Sequence, residues 1–351
     1  MRAVVLRDRS LHLEEVANPT PLAGQVLVRT KACGICGSDL HFVRHGEKML
    51  ALAREGGSMS TLDLSRGVVL GHEFVGEVLD VRMDSMTTAK VGDRVVSMPV
   101  NFVGAPVPEN MRAVGYSNDY AGGYSEQMVL YGPLLLVVPN GLSTEIAALT
   151  EPMAVGLHAV NKSGIVAGGS AVVHGTGPVG LAVIAALRLL GVEAIIAADY
   201  SPKRRALATA MGAVATVDPG VEAAMDVWTR LTGGTLAAQS GLVQFECVGV
   251  PGMIDEAMRR APRHGRITVV GACMEADRMT PMFGINKELQ LMFVLAYTPE
   301  EFSASLQHLA EGRINAAPLI TGTVDLDGVA QAFLDLAHPE HHAKVMVRPG
   351  W

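Results

Sequence analysis

The chain has 351 residues, which is too long for one ordinary hydrophobic core, and two domains are therefore expected. Apolar residues make up 49% of the chain and charged residues 18%, so apolar surface for burial is ample and intrinsic disorder is disfavoured. The formal net charge of -7, with no long basic run, argues against nucleic acid as a partner.

The sequence disfavours both export and membrane insertion. The N-terminus lacks an apolar core of signal-peptide length. The longest apolar stretch, 181–198, is interrupted by Arg188, Gly191 and Glu193, which makes it unsuited to span a bilayer. We therefore expect a reducing cytoplasmic setting, in which free or metal-bound thiols are favoured over disulfides.

The first 150 residues, approximately, are predicted to be rich in β-strands. Short apolar runs alternate there with glycine and proline, a pattern typical of strands joined by turns. The segment 46–55 is different, because it predicts a short helix that the glycines of 56–58 would end. The predicted strands are 3–6, 25–30, 67–70, 74–81, 94–98, 126–130 and 134–138.

From about residue 153 to 287, strand and helix patterns alternate, which predicts a parallel sheet covered by helices. The tail from 288 onward is mixed and ends in a strand-like run at 344–348. The predicted strands of the alternating region are 171–174, 193–198, 243–247 and 266–270, and its predicted helices are 178–190 and 203–211.

A glycine motif in the alternating region predicts a dinucleotide site. The run Gly175-Thr176-Gly177-Pro178-Val179-Gly180 follows a predicted strand and opens an apolar helix, and Asp199 ends the next strand. The glycines permit the turn, the approach of pyrophosphate and close packing of helix on strand, while the helix N-terminus attracts negative charge. The alternative is an ordinary glycine-rich turn.

Asp199 and two neighbouring arginines bear on the choice of cofactor. A carboxylate at Asp199 would accept hydrogen bonds from the adenosine ribose and repel a 2′-phosphate, which favours NAD over NADP. Arg204 and Arg205 leave NADP as an alternative cofactor, since either side chain could reach its 2′-phosphate.

A second group of residues indicates a catalytic metal centre. Cys36 and His72 are suitable zinc ligands, and Glu73 or Glu151 could supply a carboxylate. Asp39 could accept a hydrogen bond from a zinc-bound histidine.

Ser38 and His41, near Cys36, carry groups able to pass a proton outward. The alternatives are a buried cysteine and histidine of the core, or a redox pair or half a zinc knuckle formed by Cys33 and Cys36.

Taken together, these motifs resemble the zinc-dependent medium-chain dehydrogenase/reductase family, and the resemblance covers nearly the whole chain. The family implies an α/β protein with a GroES-like β-rich catalytic domain at 1–152 and 288–351, and an inserted doubly wound Rossmann domain at 153–287. The matching motifs, in chain order, are 34–39, 71–73, 91–95, 121–126, 151–158, 175–180 with Asp199, 246–249 and 287–289.

By resemblance, each motif position implies a role. Cys36 and His72 match the zinc ligands, Glu151 the third-ligand position, and Glu73 a carboxylate that binds zinc or lies just behind it. Ser38 matches the hydroxyl that takes the substrate proton, and His41 the outer base of the relay. Positions that match cofactor contacts are Gly175, Gly177, Pro178, Val179, Gly180, Asp199, Arg204, Gly271 and Leu295.

Three departures from the family pattern are informative. The segment 97–124 contains no cysteine, so the structural zinc that many members carry is not expected. The only metal ion expected is one catalytic zinc. Ala296 stands where the sorbitol-like branch has an arginine that faces the polyol. The gap between Cys36 and His72 is longer than usual, and its extra residues around Met49, Leu50 and Leu52 are expected to line or cover the substrate pocket.

The resemblance implies a zinc alcohol dehydrogenase that reversibly oxidises a primary or secondary, moderately hydrophobic alcohol to an aldehyde or ketone with NAD. It also implies a homodimer or homotetramer. Two alternatives stay open: a reductase of enones or imines on the same scaffold, and a non-catalytic crystallin-like or NAD-sensing protein.

Overall fold

The computed structural model describes residues 1–58, 60–338 and 340–350. It divides into two compact units. The first consists of Met1–Glu151, Ile320–His338 and 344–350, so both ends of the chain contribute to it. The second consists of Pro152–Leu319 with the short segment 340–343.

The described residues form eighteen strands, most of them short and with buried apolar side chains. In chain order they are β1 (Arg2–Arg7), β2 (Ser10–Glu15), β3 (Gln25–Gly34), β4 (Val68–Val69), β5 (Glu73–Val81), β6 (Arg94–Ser97), β7 (Val100–Phe102), β8 (Met111–Ala113), β9 (Gln127–Tyr131), β10 (Leu135–Val137), β11 (Ser170–His174), β12 (Ala194–Ala198), β13 (Ala215–Val217), β14 (Leu242–Glu246), β15 (Arg266–Val269), β16 (Gln290–Phe293), β17 (Ile320–Val324) and β18 (Lys344–Val347).

The same residues form eleven α-helices. In chain order they are α1 (Gly37–Glu55), α2 (Thr144–Ala148), α3 (Thr150–Lys162), α4 (Pro178–Leu190), α5 (Pro202–Ala210), α6 (Ala224–Thr232), α7 (Leu236–Ser240), α8 (Met253–Arg260), α9 (Pro281–Lys287), α10 (Pro299–Ala310) and α11 (Val329–Leu336). None of these helices combines the length and the apolar character needed to span a bilayer.

The first unit is built on a seven-stranded sheet in the order β10-β6-β5-β3-β18-β17, with β9 also paired to β3. All its pairs are antiparallel except β17 with β18. A three-stranded sheet, β2-β1-β4, shares the same apolar core. Since β18 pairs with β3, the C-terminal strand lies next to the strand that leads into the Cys36 motif.

The second unit contains a six-stranded sheet in the order β13-β12-β11-β14-β15-β16, and every pair in it is parallel. The chain runs outward from β11 to β13 and then returns to place β14 on the other side of β11. Ligands of such sheets bind at the carboxyl ends of the strands where this reversal occurs. The predicted α/β class, with a β-rich unit and a doubly wound parallel sheet, is confirmed.

The boundary predicted at 287/288 differs from the structural division, which falls at 319/320. The reason is β16, which pairs in parallel with β15 and extends the sheet of the second unit. Its side chains are largely exposed, so the segment lacks the buried apolar pattern that marked the other parallel strands. The following α10 belongs to the same unit.

Helix α1 is kinked at His45, whose φ of -132° and ψ of 20° are not helical, so it consists of two helical segments. The second segment matches the predicted helix at 46–55 and ends before Gly56 as expected, whereas the first segment, 37–44, was not predicted. Gly37, Ser38 and Asp39 are weak helix formers, so their propensities did not indicate this start. Asp39 compensates by accepting the backbone N–H of Cys36 at 3.2 Å, as in a capping box. The first segment of the helix therefore carries Ser38, Asp39 and His41 in the turns that follow Cys36.

Candidate metal centre and nucleotide site

Three of the predicted metal ligands converge in the first unit. A sulfur of Cys36, an imidazole nitrogen of His72 and a carboxylate oxygen of Glu73 all lie within 4.8 Å of one another. Cys36 precedes α1, whereas His72 and Glu73 lie at the start of β5. Because Gly34 of β3 pairs with Glu73, the ladder between these strands brings the two motifs together.

The donor set fits zinc. Thiolate, imidazole and carboxylate are the ligands that zinc takes in catalytic sites, where a fourth position stays open for water or substrate. Zinc–ligand bonds of about 2.0–2.3 Å place tetrahedral ligand atoms roughly 3.5 Å apart. The ligand atoms of the cluster lie within 4.8 Å of one another, which is close to that spacing.

Asp39 lies directly behind His72. It is fully buried, and its Oδ1 is 3.3 Å from Nδ1 of His72. That nitrogen has no aligned hydrogen-bond partner among the described residues. Burial alone would lower the pKa of His72, but the charges of Asp39 and Cys36 raise it well above its usual value. A carboxylate in this position orients a metal-binding imidazole and makes it a better electron donor.

Two tyrosine hydroxyls also lie against the Asp39 carboxylate. The hydroxyl of Tyr124 donates to Oδ2 at 2.6 Å, and the hydroxyl of Tyr116 lies 2.7 Å from Oδ1. Burial would raise the pKa of Asp39, but His72 and these hydroxyls outweigh burial and lower it. Asp39 therefore stays ionised. Neither tyrosine was identified from the sequence, because nothing in their local sequence points to a partner in α1.

Glu73 forms a buried ion pair that was also missed. Lys344 of β18 lies 2.6 Å from both carboxylate oxygens of Glu73, and both side chains are 0% exposed. Its ammonium also donates to the carbonyl of Ile35 at 3.0 Å. Burial alone would lower the pKa of Lys344, but Glu73, Cys36 and Glu151 raise it. Lys344 thus adds a fixed positive charge directly behind the cluster.

Glu151, the other predicted carboxylate ligand, lies in the first turn of α3. Its carboxylate is not part of the group of ligand atoms that lie within 4.8 Å of one another. Its charge nevertheless acts on Lys344, which places it in the same electrostatic environment.

The two predicted relay residues lie on the first turns of α1. Ser38 Oγ is 3.5 Å from Nε2 of His72 and 3.1 Å from the hydroxyl of Tyr116. His41 follows one turn later and is half-buried, and burial, assisted by the charges of His45 and Arg44, lowers its pKa. A lowered pKa keeps this imidazole neutral at neutral pH, and a neutral imidazole can accept a proton.

A mostly apolar cavity of about 570 Å³ lies in the first unit and has Ser38 and Tyr116 in its wall. Met49 and Leu50 line it, as expected for the long gap between the motifs. Leu52 does not, and it is 46% exposed. The difference follows from the helix, since Leu52 projects from another face of α1.

The cysteine-free segment 97–124 is held by polar contacts. The buried side-chain amide of Gln25 donates to Asn101 at 2.9 Å and to the hydroxyl of Tyr120 at 2.7 Å. Asn101 in turn donates to the carbonyl of Val129 at 2.9 Å, and Arg112 pairs with Asp119 at 3.1 Å. The contacts of Gln25 and Val129 connect the segment to strands β3 and β9, and the pair of Arg112 with Asp119 lies within the segment itself.

In the second unit, the glycine motif forms the predicted turn between β11 and α4. Gly177 is the N-cap of α4, Pro178 its first residue, and Val179 is partly exposed in the first turn. Gly180 packs so closely that a Cβ there would lie 1.9 Å from the carbonyl oxygen of Gly175. Only glycine fits at that position, and the free N-terminus of α4 is left able to receive a phosphate.

The residues around Asp199 also lie at the carboxyl ends of the strands. Asp199 accepts the backbone N–H groups of Thr176 at 2.8 Å and Ser201 at 2.9 Å, which leaves lone pairs on both oxygens. Arg205 is engaged with Asp218, whereas Nε of Arg204 is buried and has no hydrogen-bond partner in the described part of the chain.

Two further predicted cofactor contacts lie in the same unit. Gly271 follows β15, and a Cβ there would lie 2.4 Å from the backbone nitrogen of Gly249. Leu295 follows β16 and is 89% exposed. The structure therefore leaves the Leu295 side chain available to a ligand, while Gly271 allows two strand ends to approach each other.

Comparisons with known proteins match both units. Residues 22–140 match the family model described as the alcohol dehydrogenase GroES-like domain, and residues 178–311 match that of the zinc-binding dehydrogenases. The chain is 33% identical to (R,R)-butanediol dehydrogenase of Bacillus subtilis (strain 168) over 97% of each chain.

Solved structures give the same result. The crystal structure of 2R,3R-butanediol dehydrogenase from Bacillus subtilis superposes with a TM-score of 0.84 and 31% identity, over 99% of each chain. A putative zinc-binding dehydrogenase from Sinorhizobium meliloti 1021, bound to NADP, superposes with a TM-score of 0.82 and 27% identity, again over 99% of each chain.

Proposed function

Because the chain belongs to the zinc-dependent medium-chain dehydrogenase/reductase family, we propose that it reversibly oxidises a hydrophobic secondary alcohol to a ketone with NAD. The observation that carries this proposal is the cluster of Cys36, His72 and Glu73 with the Ser38 hydroxyl beside it. The class of reaction, oxidation of a CH–OH group, is that of the family.

The chain's own residues supply three parts of the reaction. One zinc ion held by Cys36, His72 and Glu73 would contribute Lewis acidity, which lowers the pKa of an alcohol. Ser38 accepts the alcohol proton and passes its own toward His41, whose neutral imidazole is the final base. A nicotinamide cofactor held by the glycine motif and Asp199 would accept hydride from the carbon that bears the hydroxyl, so that the alcohol loses two electrons and two hydrogens in all. Asp39 keeps His72 oriented throughout.

Among the two candidate carboxylates, we assign Glu73 to the metal. Its oxygen lies in the ligand cluster, whereas that of Glu151 does not. Lys344 would then hold the Glu73 carboxylate in place, and Glu151 would add negative charge nearby.

NAD is the proposed cofactor because Asp199 retains free lone pairs where an adenosine ribose would bind.

Replacing Asp199 by alanine is expected to lower kcat/KM for NAD by about 100-fold, because the ribose would lose two hydrogen bonds to a charged group. NADP should become the better cofactor, because Arg204 has an unpartnered Nε. Steady-state kinetics with both cofactors tests this, with Asp226→Ala as an exposed control. An unchanged preference would contradict the assignment.

The cavity beside Ser38 supports an alcohol with an extended apolar substituent. About 570 Å³ is within the range that accommodates a sizeable ligand, far beyond a four-carbon diol. Leu50→Trp should fill part of it and lower kcat/KM for 2-octanol by about tenfold or more, while 2,3-butanediol is little affected. Leu52→Trp is the matched control, since Leu52 lies outside the lining. Equal losses for both alcohols in Leu50→Trp would refute this pocket assignment.

We also propose a cytoplasmic homodimer or homotetramer. The edge strand β16 pairs only with β15 in the described sheet, and Met292 and Phe293 on it are 45% and 61% exposed. An apolar strand edge of this kind is a liability in a monomer and suits pairing with a second copy. Light scattering of the purified protein measures the number of subunits.

A further inference from the structure

Tyr116 reaches the metal centre from the cysteine-free segment 97–124. The preceding residue, Gly115, packs on the backbone of Gly71, where a Cβ would lie 3.0 Å from the Gly71 carbonyl oxygen. This close approach fixes Tyr116 next to His72, the residue after Gly71, and the two rings are 5.3 Å apart. The ring of Phe42 packs edge-on against Tyr116 at 5.0 Å.

The hydroxyl of Tyr116 contacts two groups of the proposed machinery at once. It lies 2.7 Å from Oδ1 of Asp39 and 3.1 Å from Oγ of Ser38. A phenol carries a single hydrogen, and an ionised carboxylate carries none. The shorter contact to Asp39 therefore takes the Tyr116 hydrogen, and the Tyr116 oxygen is left to accept the hydrogen of Ser38.

We propose that Tyr116 is a positioning residue for the proton relay. In the resting enzyme it holds the Ser38 hydroxyl, so that the Ser38 lone pairs are directed away from Tyr116 and toward the alcohol. When the alcohol O–H bond breaks, the alcohol hydrogen forms a new O–H bond with Ser38, and the original Ser38 hydrogen leaves the Tyr116 oxygen and passes toward His41, the final base. This role rests on the proposed function of Ser38 and adds a residue that the relay motif itself does not contain.

The test compares variants by the single-turnover rate of NADH formation. Tyr116→Phe keeps the ring packing and removes the hydroxyl, and it should slow this rate about tenfold, the effect of one hydrogen bond. The KM of the alcohol, the affinity for NADH and the zinc content should change less than about twofold, because the ring that lines the cavity is kept and neither the metal ligands nor the nucleotide site is altered. Tyr120→Phe is the control. It removes a hydroxyl from the same segment 97–124 that accepts a hydrogen bond from Gln25 of β3, and this variant should react at the normal rate.

A double-mutant cycle separates positioning from a structural effect. In a Ser38→Ala background, Tyr116→Phe should change the rate less than about twofold, because the hydroxyl it positions is gone. Tyr124→Phe removes a donor to Asp39 that does not contact Ser38, so its effect should add fully to that of Ser38→Ala.

Additive effects of Tyr116→Phe and Ser38→Ala, or a normal rate in Tyr116→Phe, would overturn the role of Tyr116. A normal rate in Ser38→Ala would instead overturn the proposed relay. The thermal unfolding midpoint of each variant shows whether it is folded under the assay conditions.

Discussion

Replacement of Cys36 by serine or of His72 by alanine is expected to reduce alcohol oxidation by at least about 1000-fold, because a Lewis acid contributes several kcal/mol to such a reaction. Both variants should lose bound zinc, since each removes one of three clustered ligands. NADH affinity should stay close to normal, because the glycine motif and Asp199 belong to the second unit. Metal analysis, NADH fluorescence titration and initial rates measure the three quantities.

Glu151→Gln is the matched control for this experiment. Its carboxylate lies outside the ligand cluster, so the variant should keep its zinc, whereas Glu73→Gln should bind zinc more weakly. Zinc lost from Glu151→Gln but retained in Glu73→Gln would reverse the assignment of the two carboxylates. Normal turnover by a zinc-free Cys36→Ser protein would refute the metal centre itself.

Lys344→Met is expected to lower the free energy of unfolding by about 3–5 kcal/mol, because it leaves the Glu73 carboxylate buried without its charged partner. Both side chains of this pair are 0% exposed, so solvent cannot replace the lost interaction. The measurement is urea unfolding followed by circular dichroism, in the presence of a chelator so that metal binding does not contribute.

A surface pair provides the control. Lys31 lies 3.1 Å from Glu77, a distance similar to that of the buried pair, but the two side chains are 40% and 27% exposed. Lys31→Met should therefore cost less than about 1 kcal/mol. The double variant Glu73→Leu/Lys344→Met should recover most of the stability lost in Lys344→Met, because no unpaired charge is left. Equal effects of Lys344→Met and Lys31→Met would show that the buried pair does not stabilise the fold.

Local patterns in the sequence were sufficient to predict those helices and motifs whose bounds are set by neighbouring residues. The helix predicted at 178–190 is observed over Pro178–Leu190, because its start at a glycine turn and its end before Gly191 are both coded locally. The family, the fold class and the oxidation of a CH–OH group are confirmed by the comparisons. Short motifs with the right residue types were enough for these conclusions.

Other features depended on contacts between distant parts of the chain. The segment of α1 before its kink at His45 was not predicted, because the residues of its first turn favour helices weakly and gain their stability from Asp39 and its partners. The boundary of the second unit was displaced because β16 is an exposed edge strand, which has little of the apolar pattern that marks a buried strand.

The sequence by itself determined the fold class, the glycine motif with Asp199, and the residue types able to bind zinc, since each depends on short runs of residues. Only the tertiary structure decided which carboxylate lies with Cys36 and His72, and that Lys344 and Tyr116 belong to the same centre. The physical reason is that Lys344 and Tyr116 acquire their roles from partners brought close by strand pairing and by the approach of Gly115 to Gly71. A lysine in a strand or a tyrosine in a loop has no such meaning until its partner is known.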